Sequence, residues 1–256
     1  MNILKSLEDI EKIRISSRIV AETLTLLEKN TKPGVTTLRL NKLAEEFIFD
    51  NDAVPSFKGY LGYPFTICAS INEEVVHGFP SQRVLKEGDV LSIDVGVLKN
   101  KFHGDSTITI PIGEVCPEKA RLICVGQECL YLGISFARDG NRLNQISAAI
   151  QNHAEKNDYN VIRQYTGHAI GLSLHEPPQI PNYVKELNDG GLMLKQGMVL
   201  AIEPMVTSGS ARTKMLANKW TAVTEDNKLC VHWEHTIAIT KEGPEILSLR
   251  ADEREK

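Results

Sequence analysis

The sequence lacks a strong excess of charge of either sign. Its 29 Lys and Arg residues face 33 Asp and Glu residues, for a formal net charge of −4. A nucleic-acid-binding protein usually carries a basic excess on one face. The sequence also lacks an apolar run of the roughly 20 residues that a membrane span needs. Residues 1–18 carry charges of both signs instead of the apolar core of a secretory signal. These absences predict a soluble cytoplasmic protein with neither nucleic acid nor membrane as a specific partner.

Cysteine is scarce, and its spacing carries no motif. The five cysteines are Cys68, Cys116, Cys124, Cys129 and Cys230. Their odd number and the lack of a Cys-x-x-Cys pair match neither a disulfide framework nor a zinc finger. We therefore predict reduced thiols that serve as small apolar residues in the cytosol. No low-complexity linker or tandem repeat divides the 256 residues, so we expect a single domain over residues 1–256.

Regularly spaced apolar residues predict four helices, over residues 6–29, 38–49, 117–136 and 142–156. Pro33-Gly34 would end the first, Pro117 suits the first turn of the third, and Asn141 would cap the fourth. The predicted buried residues are Leu7, Ile10, Ile13, Val20, Leu24 and Leu27 in the first helix, and Leu43, Phe47 and Ile48 in the second. Strands are predicted over residues 65–71, 89–98, 102–110, 199–202 and 229–240. The predicted fold class is α+β, an antiparallel or mixed sheet with long helices against one face.

Two aspartates lie on a predicted hairpin. Alternation of the side chains places Asp94 on the polar face of the first strand and Asp105 on a face of the returning strand. A two-residue turn at Lys99-Asn100 would use the tolerance of Asn for positive φ. Leu98 would then pair with Lys101, and Asp94 would pair directly with Asp105.

Directly opposed residues on one face have Cβ atoms about 4.5–5.5 Å apart. Two carboxylates at that distance repel unless a proton or a divalent metal lies between them. The alternative is a pair of solvent-exposed aspartates on an edge hairpin. The neighbouring Gly96 and Gly104 favour the first interpretation, because glycine in a strand often marks the close approach of a ligand or a backbone.

Three further candidate ligands, His168, Glu203 and Glu234, stand in similar surroundings. His168 lies between glycines in the segment 167–171, and His175 follows in the same Gly- and Pro-rich stretch. Glu203 ends an apolar strand and Glu234 lies within another, where an ionised carboxylate is costly without a partner. The histidines that flank Glu234 carry no assigned task; they are His232 and His235.

The candidate ligands are therefore four carboxylates and one imidazole: Asp94, Asp105, His168, Glu203 and Glu234. This set is too anionic for a single structural zinc, which favours closed Cys and His tetrahedra. It suits a pair of divalent ions such as Mn²⁺, Fe²⁺ or Co²⁺, about 3.5–4 Å apart.

In their order along the chain, the motifs resemble those of a type I methionine aminopeptidase. The matching stretches are Ser70-Ile71-Asn72-Glu73, His77-Gly78-Phe79-Pro80, Ile93-Asp94-Val95-Gly96, Phe102-His103-Gly104-Asp105-Ser106-Thr107, Gly167-His168, His175-Glu176-Pro177-Pro178, Ile202-Glu203-Pro204-Met205 and Glu234-His235-Thr236. Each tripeptide is weak by itself, but the ordered set is specific and spans nearly the whole chain. The resemblance implies a pita-bread (creatinase/aminopeptidase) fold, a curved antiparallel sheet with helices on its outer face.

The resemblance also implies an activity and roles for residues. It implies removal of the initiator methionine from nascent proteins with a small second residue, by attack of a hydroxide that bridges two metals (Co, Mn, Fe, Zn or Ni). The five candidate ligands would hold the metals, and Asp105 and Glu234 would bridge them. Glu203 would also act as general base, His175 would stabilise the tetrahedral intermediate, and His77 would contact the substrate beyond the scissile bond. The implied protein is a monomer that acts on nascent N-termini, near the ribosome.

A small apolar pocket for methionine is implied by motif position. It would comprise Phe57, Tyr60, Tyr63, Cys68, Leu174 and Trp220, although plain core packing is the alternative for each aromatic side chain. Three positions depart from the family pattern. Phe57 replaces a common cysteine, Leu174 a common phenylalanine, and Ala169 a glycine. Because of these three differences the resemblance does not predict the exact shape of the pocket. None of them affects a proposed ligand.

Two other functions fit parts of the pattern. A proline-directed relative, an aminopeptidase P or a prolidase, shares the five ligands but usually carries a large N-terminal domain, whereas only about 90 residues precede Asp94. The type II methionine aminopeptidases insert a helical subdomain, for which the 62 residues between Asp105 and His168 leave little room. A metal-free binding module would have lost ligands, and this chain has all five.

Overall fold

The computed structural model describes residues 4–184 and 190–253. Within them the helices are α1 (Leu7–Asn30), α2 (Thr37–Asp50), α3 (Pro117–Ser135) and α4 (Leu143–Lys156), with short 3-10 turns at Tyr60–Gly62 and Ala251–Glu253. All four predicted helices are confirmed to within one residue at each end. None of the helices in these residues is both long enough and apolar enough to cross a membrane.

Helix α1 begins at a capping box. The Ser6 hydroxyl accepts the backbone N–H of Asp9, and the Asp9 carboxylate accepts the backbone N–H of Ser6. The prediction that Leu7 is buried is wrong, because its side chain is 82% exposed. At about 100° per residue, Leu7 points about 120° away from Ile13, which lies in the buried stripe.

Two details of the other helices also differ from the sequence prediction. In α2 the buried apolar stripe is Leu40, Ala44 and Ile48, whereas Leu43 and Phe47 lie on its flank and are only partly buried. The N-cap of α4 is Arg142 instead of Asn141, and its backbone N–H donates to the side chain of Gln145. The Asn141 amide donates to the Phe136 carbonyl just after α3, so it is not available to cap α4.

The strands are β1 (Val54–Pro55), β2 (Ile67–Ile71), β3 (Glu74–Val76), β4 (Val90–Lys99), β5 (Phe102–Pro111), β6 (Asn160–Val161), β7 (Thr166–Ala169), β8 (Glu176–Pro181), β9 (Val199–Ile202), β10 (Met205–Thr207), β11 (Thr213–Met215), β12 (Ala222–Thr224), β13 (Cys230–His232), β14 (Glu234–Ile239) and β15 (Pro244–Ile246). The large sheet has the order β1-β4-β5-β14-β9-β7-β8. In addition, β2 pairs with β4, and β15 pairs with β14. Two small sheets, β13-β10-β6 and β11-β12-β3, complete the described fold, and every pairing between these strands is antiparallel.

Four of the five predicted strands are confirmed as single strands. The fifth, over residues 229–240, is two strands that meet at Trp233. There the chain leaves the small sheet containing β13 and enters the large sheet as β14. The Trp233 indole donates to the Ile123 carbonyl of α3, which fixes this crossing. The remaining strands are six residues or shorter and show no extended alternation, so the sequence did not predict them.

The predicted register of the β4–β5 hairpin is wrong. Its two-residue turn is Asn100-Lys101, both with positive φ, and Lys99 pairs with Phe102. This is the type I′ geometry, which favours Asn at the first turn position. Asp94 therefore faces Thr107 and not Asp105. The slip moves the pairing by two residues in total, so both aspartates stay on one face as diagonal neighbours.

Helix α1 packs directly on β4 and β5, on the face that carries the alternating residues Leu91, Ile93, Val95 and Val97 of the core. A side chain at Gly104 would overlap the backbone of Ser17, so this glycine permits the close approach of α1 to β5. At Gly96 the neighbour is the Phe57 ring. The two glycines beside the aspartates thus make room for a helix backbone and for a ring. The face of the hairpin that points away from α1 carries Asp94 and Asp105 and forms part of the polar site.

Candidate active site and metal centre

A cavity of about 550 Å³ lies over the polar face of the large sheet. Every site residue predicted from the sequence lines it: Phe57, Tyr60, Tyr63, Cys68, His77, Asp94, Asp105, His168, Leu174, His175, Glu203, Trp220 and Glu234. These residues come from positions 57 to 234 of the chain. The fold thus brings together the residues that the ordered motifs predicted to form one site.

Three neighbouring strands build the acidic floor of the cavity. Thr107 on β5 pairs with Asp94 on β4 at one side and with Glu234 on β14 at the other. Asp105 lies two residues before Thr107 and shares its face. The Thr107 hydroxyl donates to Glu234 Oε2 at 2.9 Å, which holds one oxygen of this carboxylate.

Burial and mutual repulsion dominate the electrostatics of this floor. Burial, followed by the charges of Glu234 and Asp94, raises the pKa of Asp105 well above its ordinary value. Burial, followed by Glu203 and Asp94, does the same to the pKa of Glu234. Asp105 and Glu234 are only 3% and 2% exposed. Such a group of carboxylates is stabilised when protons or cations neutralise it.

The opposite wall contributes an imidazole and a fourth carboxylate. His168 sits on β7, and its Nδ1 donates to the Ala169 carbonyl at 3.0 Å, so that Nε2 is the free ring nitrogen. Burial lowers the pKa of His168 to about 3, which keeps the ring neutral and able to act as a ligand. Glu203 follows β9, and its Oε1 lies 3.5 Å from His168 Nε2. Burial, followed by the charge of Asp94, raises the pKa of Glu203 well above its ordinary value.

These residues fit a divalent metal centre. Ligand atoms of Asp105, His168 and Glu234 all lie within 4.8 Å of one another. Buried oxygens without a hydrogen-bond partner, Asp94 Oδ1, Asp105 Oδ1 and Glu234 Oε1, face this group. Unpartnered buried oxygens are costly, and a cation satisfies them. Asp94 and Glu203 line the same cavity and complete an oxygen-rich set suited to first-row divalent ions.

Two histidines stand above this floor. His175 Nδ1 lies 2.9 Å from the Tyr60 hydroxyl, and the His175 ring centroid is 4.3 Å from that of His168. His77 has a positive φ of 58° and packs edge-on against Trp220. Burial lowers the pKa of His77 to about 4 and also lowers that of His175. Both rings are therefore neutral near pH 7, when one nitrogen donates and the other accepts.

The remaining predicted residues form an apolar pocket beside the acidic floor. Phe57, Tyr63, Cys68 and Leu174 are buried in one cluster, with Tyr60 and Trp220 packed against it. The Tyr63 ring meets the Trp220 ring edge-on at 5.1 Å, and its hydroxyl lies 3.0 Å from the carbonyls of Ile67 and Gly78. These aromatic side chains therefore both pack in the hydrophobic core and line the pocket.

The structure adds cavity residues that sequence reasoning did not assign. They are Leu61, Val76, Gln164, Tyr165, Thr166, Glu176, Pro177, Gln179 and His232. Two members of this group are buried and ionisable, Glu176 and His232. His232 Nε2 lies 3.4 Å from Glu203 Oε2. His232 lies two residues before Glu234. Side-chain alternation along the predicted strand puts the two residues on one face, so the sequence could have identified His232 as a site residue.

Comparison with known proteins agrees with this geometry. The methionine aminopeptidase of Clostridium acetobutylicum is 50% identical over 250 residues, which cover 97% of this chain and 99% of that protein. The crystal structure of methionine aminopeptidase from Rickettsia prowazekii superposes with a TM-score of 0.94 at 40% identity, and the match covers 97% of this chain and 100% of that one. Prolidase from Pyrococcus furiosus has a TM-score of 0.79 at 22% identity, covering 96% of this chain and 65% of that one. That likeness shows a common fold alone.

The curved antiparallel sheet with four helices is the pita-bread fold, as the resemblance implied, and it surrounds an acidic site of the kind that metallopeptidases use. The model of metallopeptidase family M24 matches residues 11–241, and the chain belongs to this family. Membership implies that divalent metal ions take part in its reaction.

Proposed function

We propose that the protein is a methionine aminopeptidase, which removes the N-terminal methionine of a polypeptide when the second residue is small. The observation that carries this proposal is that the apolar pocket and the acidic floor share one cavity. The pocket and the floor are adjacent, since Cys68 of the pocket pairs with Asp94 of the floor. We infer that a side chain seated in the pocket brings its own α-amine and the first peptide bond to the carboxylates. The high identity to proteins named methionine aminopeptidase over nearly their full length supports the same activity.

Two metal ions are proposed, held by Asp94, Asp105, His168, Glu203 and Glu234. Five ligands with four negative charges suit two divalent ions better than one. When bound, such ions supply a Lewis acid for the scissile carbonyl and lower the pKa of the attacking water. Whether they are Co, Mn, Fe, Zn or Ni is a question for metal analysis of the purified protein.

The side chains above the metal ligands receive distinct roles. Glu203 is proposed as the general base, since its carboxylate lines the cavity 3.5 Å from His168 Nε2, within reach of a water bound at the proposed metal centre. The neutral ring of His175 is proposed to donate to the carbonyl oxygen of the scissile bond as negative charge develops there. His77, on the facing wall beside Trp220, is proposed to contact the substrate beyond that bond.

The apolar pocket supports methionine as the first residue. Methionine is long, flexible and polarizable, and its sulfur makes favourable contacts with aromatic rings. Phe57, Tyr60, Tyr63 and Trp220 supply such rings, and Leu174 and Cys68 fill the remaining wall.

The cellular setting follows from the proposed substrate. N-termini of nascent chains are exposed in the cytoplasm near the ribosome, so we propose that the protein acts there, as a monomer. We also propose that residues 1–256 form one catalytic domain. The main hydrophobic cluster supports this, because it joins residues from Ile19 to Ile239.

A peptide panel tests the proposal. The metal-loaded protein should release methionine from a Met-Ala-Ser peptide. It should leave Met-Glu-Ser and Leu-Ala-Ser largely intact, measured by mass spectrometry of the products. The Asp105→Asn variant, assayed in parallel, should release far less methionine and so tie the activity to this site. Cleavage of Ala-Pro-Ser alone would instead indicate a proline-directed peptidase and contradict the proposal.

A further inference from the structure

His232 belongs neither to the five proposed ligands nor to the two histidines above them, yet it lines the same cavity. It ends β13 and pairs with Met205, the first residue of β10. Glu203 lies only two residues before Met205, across Pro204. The β10–β13 pairing therefore carries His232 to the side of the proposed general base.

The His232 ring lies beside the Glu203 carboxylate, on a backbone that is fixed by hydrogen bonds. Its Nε2 lies 3.4 Å from Glu203 Oε2, is buried and has no hydrogen-bond partner. The backbone on which the ring stands is fixed by Thr109. The Thr109 hydroxyl donates to the His232 carbonyl at 2.7 Å and accepts the His232 N–H at 3.1 Å. A buried ring nitrogen in this position needs a partner, and the nearby carboxylate oxygen can supply one.

The imidazole on the other side of Glu203 cannot fill this role. His168 Nε2 lies 3.5 Å from Glu203 Oε1, but its ring proton is on Nδ1, which donates to the Ala169 carbonyl. A neutral imidazole carries one N–H, so His168 Nε2 offers a lone pair and no hydrogen. Of the two rings beside Glu203, His232 is the one able to donate.

We propose that the Nε2–H of His232 donates a hydrogen bond to Glu203 Oε2 and orients this carboxylate, leaving Oε1 directed toward His168 and the floor. His232 is thus a positioning residue for Glu203, and this inference rests on the proposed function. A hydrogen bond to a charged acceptor that fixes a reacting group affects turnover more than substrate affinity.

Three variants of His232 test whether a hydrogen-bond donor must be present at this residue and whether it must lie at the position of Nε2. Gln places an amide N–H near the position of His Nε2, Asn places one near that of Nδ1, and Leu supplies none. We expect His232→Leu and His232→Asn to lower kcat on Met-Ala-Ser about 10- to 100-fold with little change in KM. We expect His232→Gln to retain kcat to within about fivefold.

Two measurements accompany the kinetics. Titration calorimetry with Mn²⁺ should give a lower affinity for His232→Leu and His232→Asn and nearly wild-type affinity for His232→Gln, because the carboxylate that His232 orients is itself a proposed ligand. The kinetics are therefore measured at saturating Mn²⁺. Thermal unfolding should show that the variants remain folded at the assay temperature. If His232→Leu does not fold, the comparison of the Gln and Asn variants carries the test by itself.

Several results would overturn the inference. A His232→Asn variant as active as the wild type would show that the position of the donor is irrelevant. Loss of Mn²⁺ affinity in His232→Gln as large as in His232→Leu would make His232 a ligand instead of a hydrogen-bond donor to one. A fall in rate that follows only the loss of thermal stability, with no rescue by Gln, would make its role structural. Failure of the wild-type protein itself to release methionine would instead contradict the proposed function.

Discussion

The hydroxyl of Tyr60 lies 2.9 Å from Nδ1 of His175, and the two rings are 5.3 Å apart. Tyr60 belongs to the wall of the apolar pocket, whereas His175 stands over the metal ligands. If the hydroxyl donates to Nδ1, the ring proton of His175 is on Nε2, where it can serve a developing oxyanion. This hydrogen bond connects the apolar pocket to the histidine that we propose to meet the peptide bond.

Removal of that hydroxyl should slow turnover. We expect Tyr60→Phe to lower kcat about five- to tenfold, because a single neutral hydrogen bond contributes about 1 kcal/mol. The ring remains, so KM should change little. Steady-state kinetics on Met-Ala-Ser measures both constants. Tyr63→Phe is the matched control: its hydroxyl contacts the Ile67 and Gly78 carbonyls, so it should lower thermal stability with a smaller effect on kcat. Equal losses of kcat in the two variants would contradict this role of Tyr60.

The pH dependence of the free energy of unfolding should show that the buried carboxyls hold protons in the folded state. Three of them have a pKa raised well above 3.8 or 4.5 by burial: Asp105, Glu203 and Glu234. Between the ordinary and the raised pKa the folded state binds more protons than the unfolded state, so stability falls as pH rises. The histidines whose pKa is lowered by burial act below 6.5, where the unfolded state binds more protons and stability falls as pH falls. They are His77, His103, His168, His175 and His232.

About one pH unit above 6.5 the histidines are largely neutral in both states, and protons still held by the carboxyls then set the slope. We expect the metal-free protein to lose stability from about pH 7.5 to 8.5, by up to about 1.4 kcal/mol per pH unit for each extra proton bound. Urea unfolding measured across this range gives the slope. Added Mn²⁺ should flatten the slope, because the metal replaces the protons. A flat profile without metal would show that these carboxyls do not titrate there.

His168→Ala should abolish activity and leave the fold intact. The substitution removes a ring that faces the cavity, so it deletes a ligand with little loss of core packing. We expect the far-ultraviolet circular dichroism to be unchanged and the Mn²⁺ affinity to fall about 10- to 100-fold or more. His153→Ala, on the surface of α4, serves as the histidine control and should keep wild-type activity. Loss of folded protein in the first variant would mean that His168 is structural.

A buried ion pair ties the N-terminal segment to the segment that carries His175. Lys5 Nζ lies 2.6 Å from Glu176 Oε2, and their side chains are 8% and 7% exposed. We expect Lys5→Met to lower the free energy of unfolding by about 3–5 kcal/mol, because it leaves a buried carboxylate without its cation. Lys5→Met combined with Glu176→Gln should recover part of that loss.

Lys12 provides the control for that substitution. It pairs with Glu8 at 2.7 Å, but on the surface, with side chains 35% and 79% exposed. Lys12→Met should therefore cost less than about 1 kcal/mol. Urea unfolding of all the variants gives the comparison, and equal effects at Lys5 and Lys12 would be inconsistent with a stabilising role for burial of the first pair.

The local parts of the fold were readable from the sequence. The helices and the long strands follow apolar periods of 3.6 and 2, which are properties of neighbouring residues, and their ends were predicted to within one or two residues. The ordered motifs also indicated which side chains would meet, and all of those residues line the cavity. Side-chain alternation placed Asp94 and Asp105 on one face, and this held because the observed register differs from the predicted one by an even number of residues.

What depends on distant pairing was decided only by the tertiary structure. The type I′ turn at Asn100-Lys101 set the hairpin register, so that Asp94 faces Thr107. The change of sheet at Trp233 depends on two different partner sheets, which no local pattern encodes. Likewise the contact of His232 with Glu203 arises from the β10–β13 pairing. The sequence by itself determined which residues are polar and which face they share. Their distances and partners were left to long-range packing, because these depend on contacts between segments far apart in the chain.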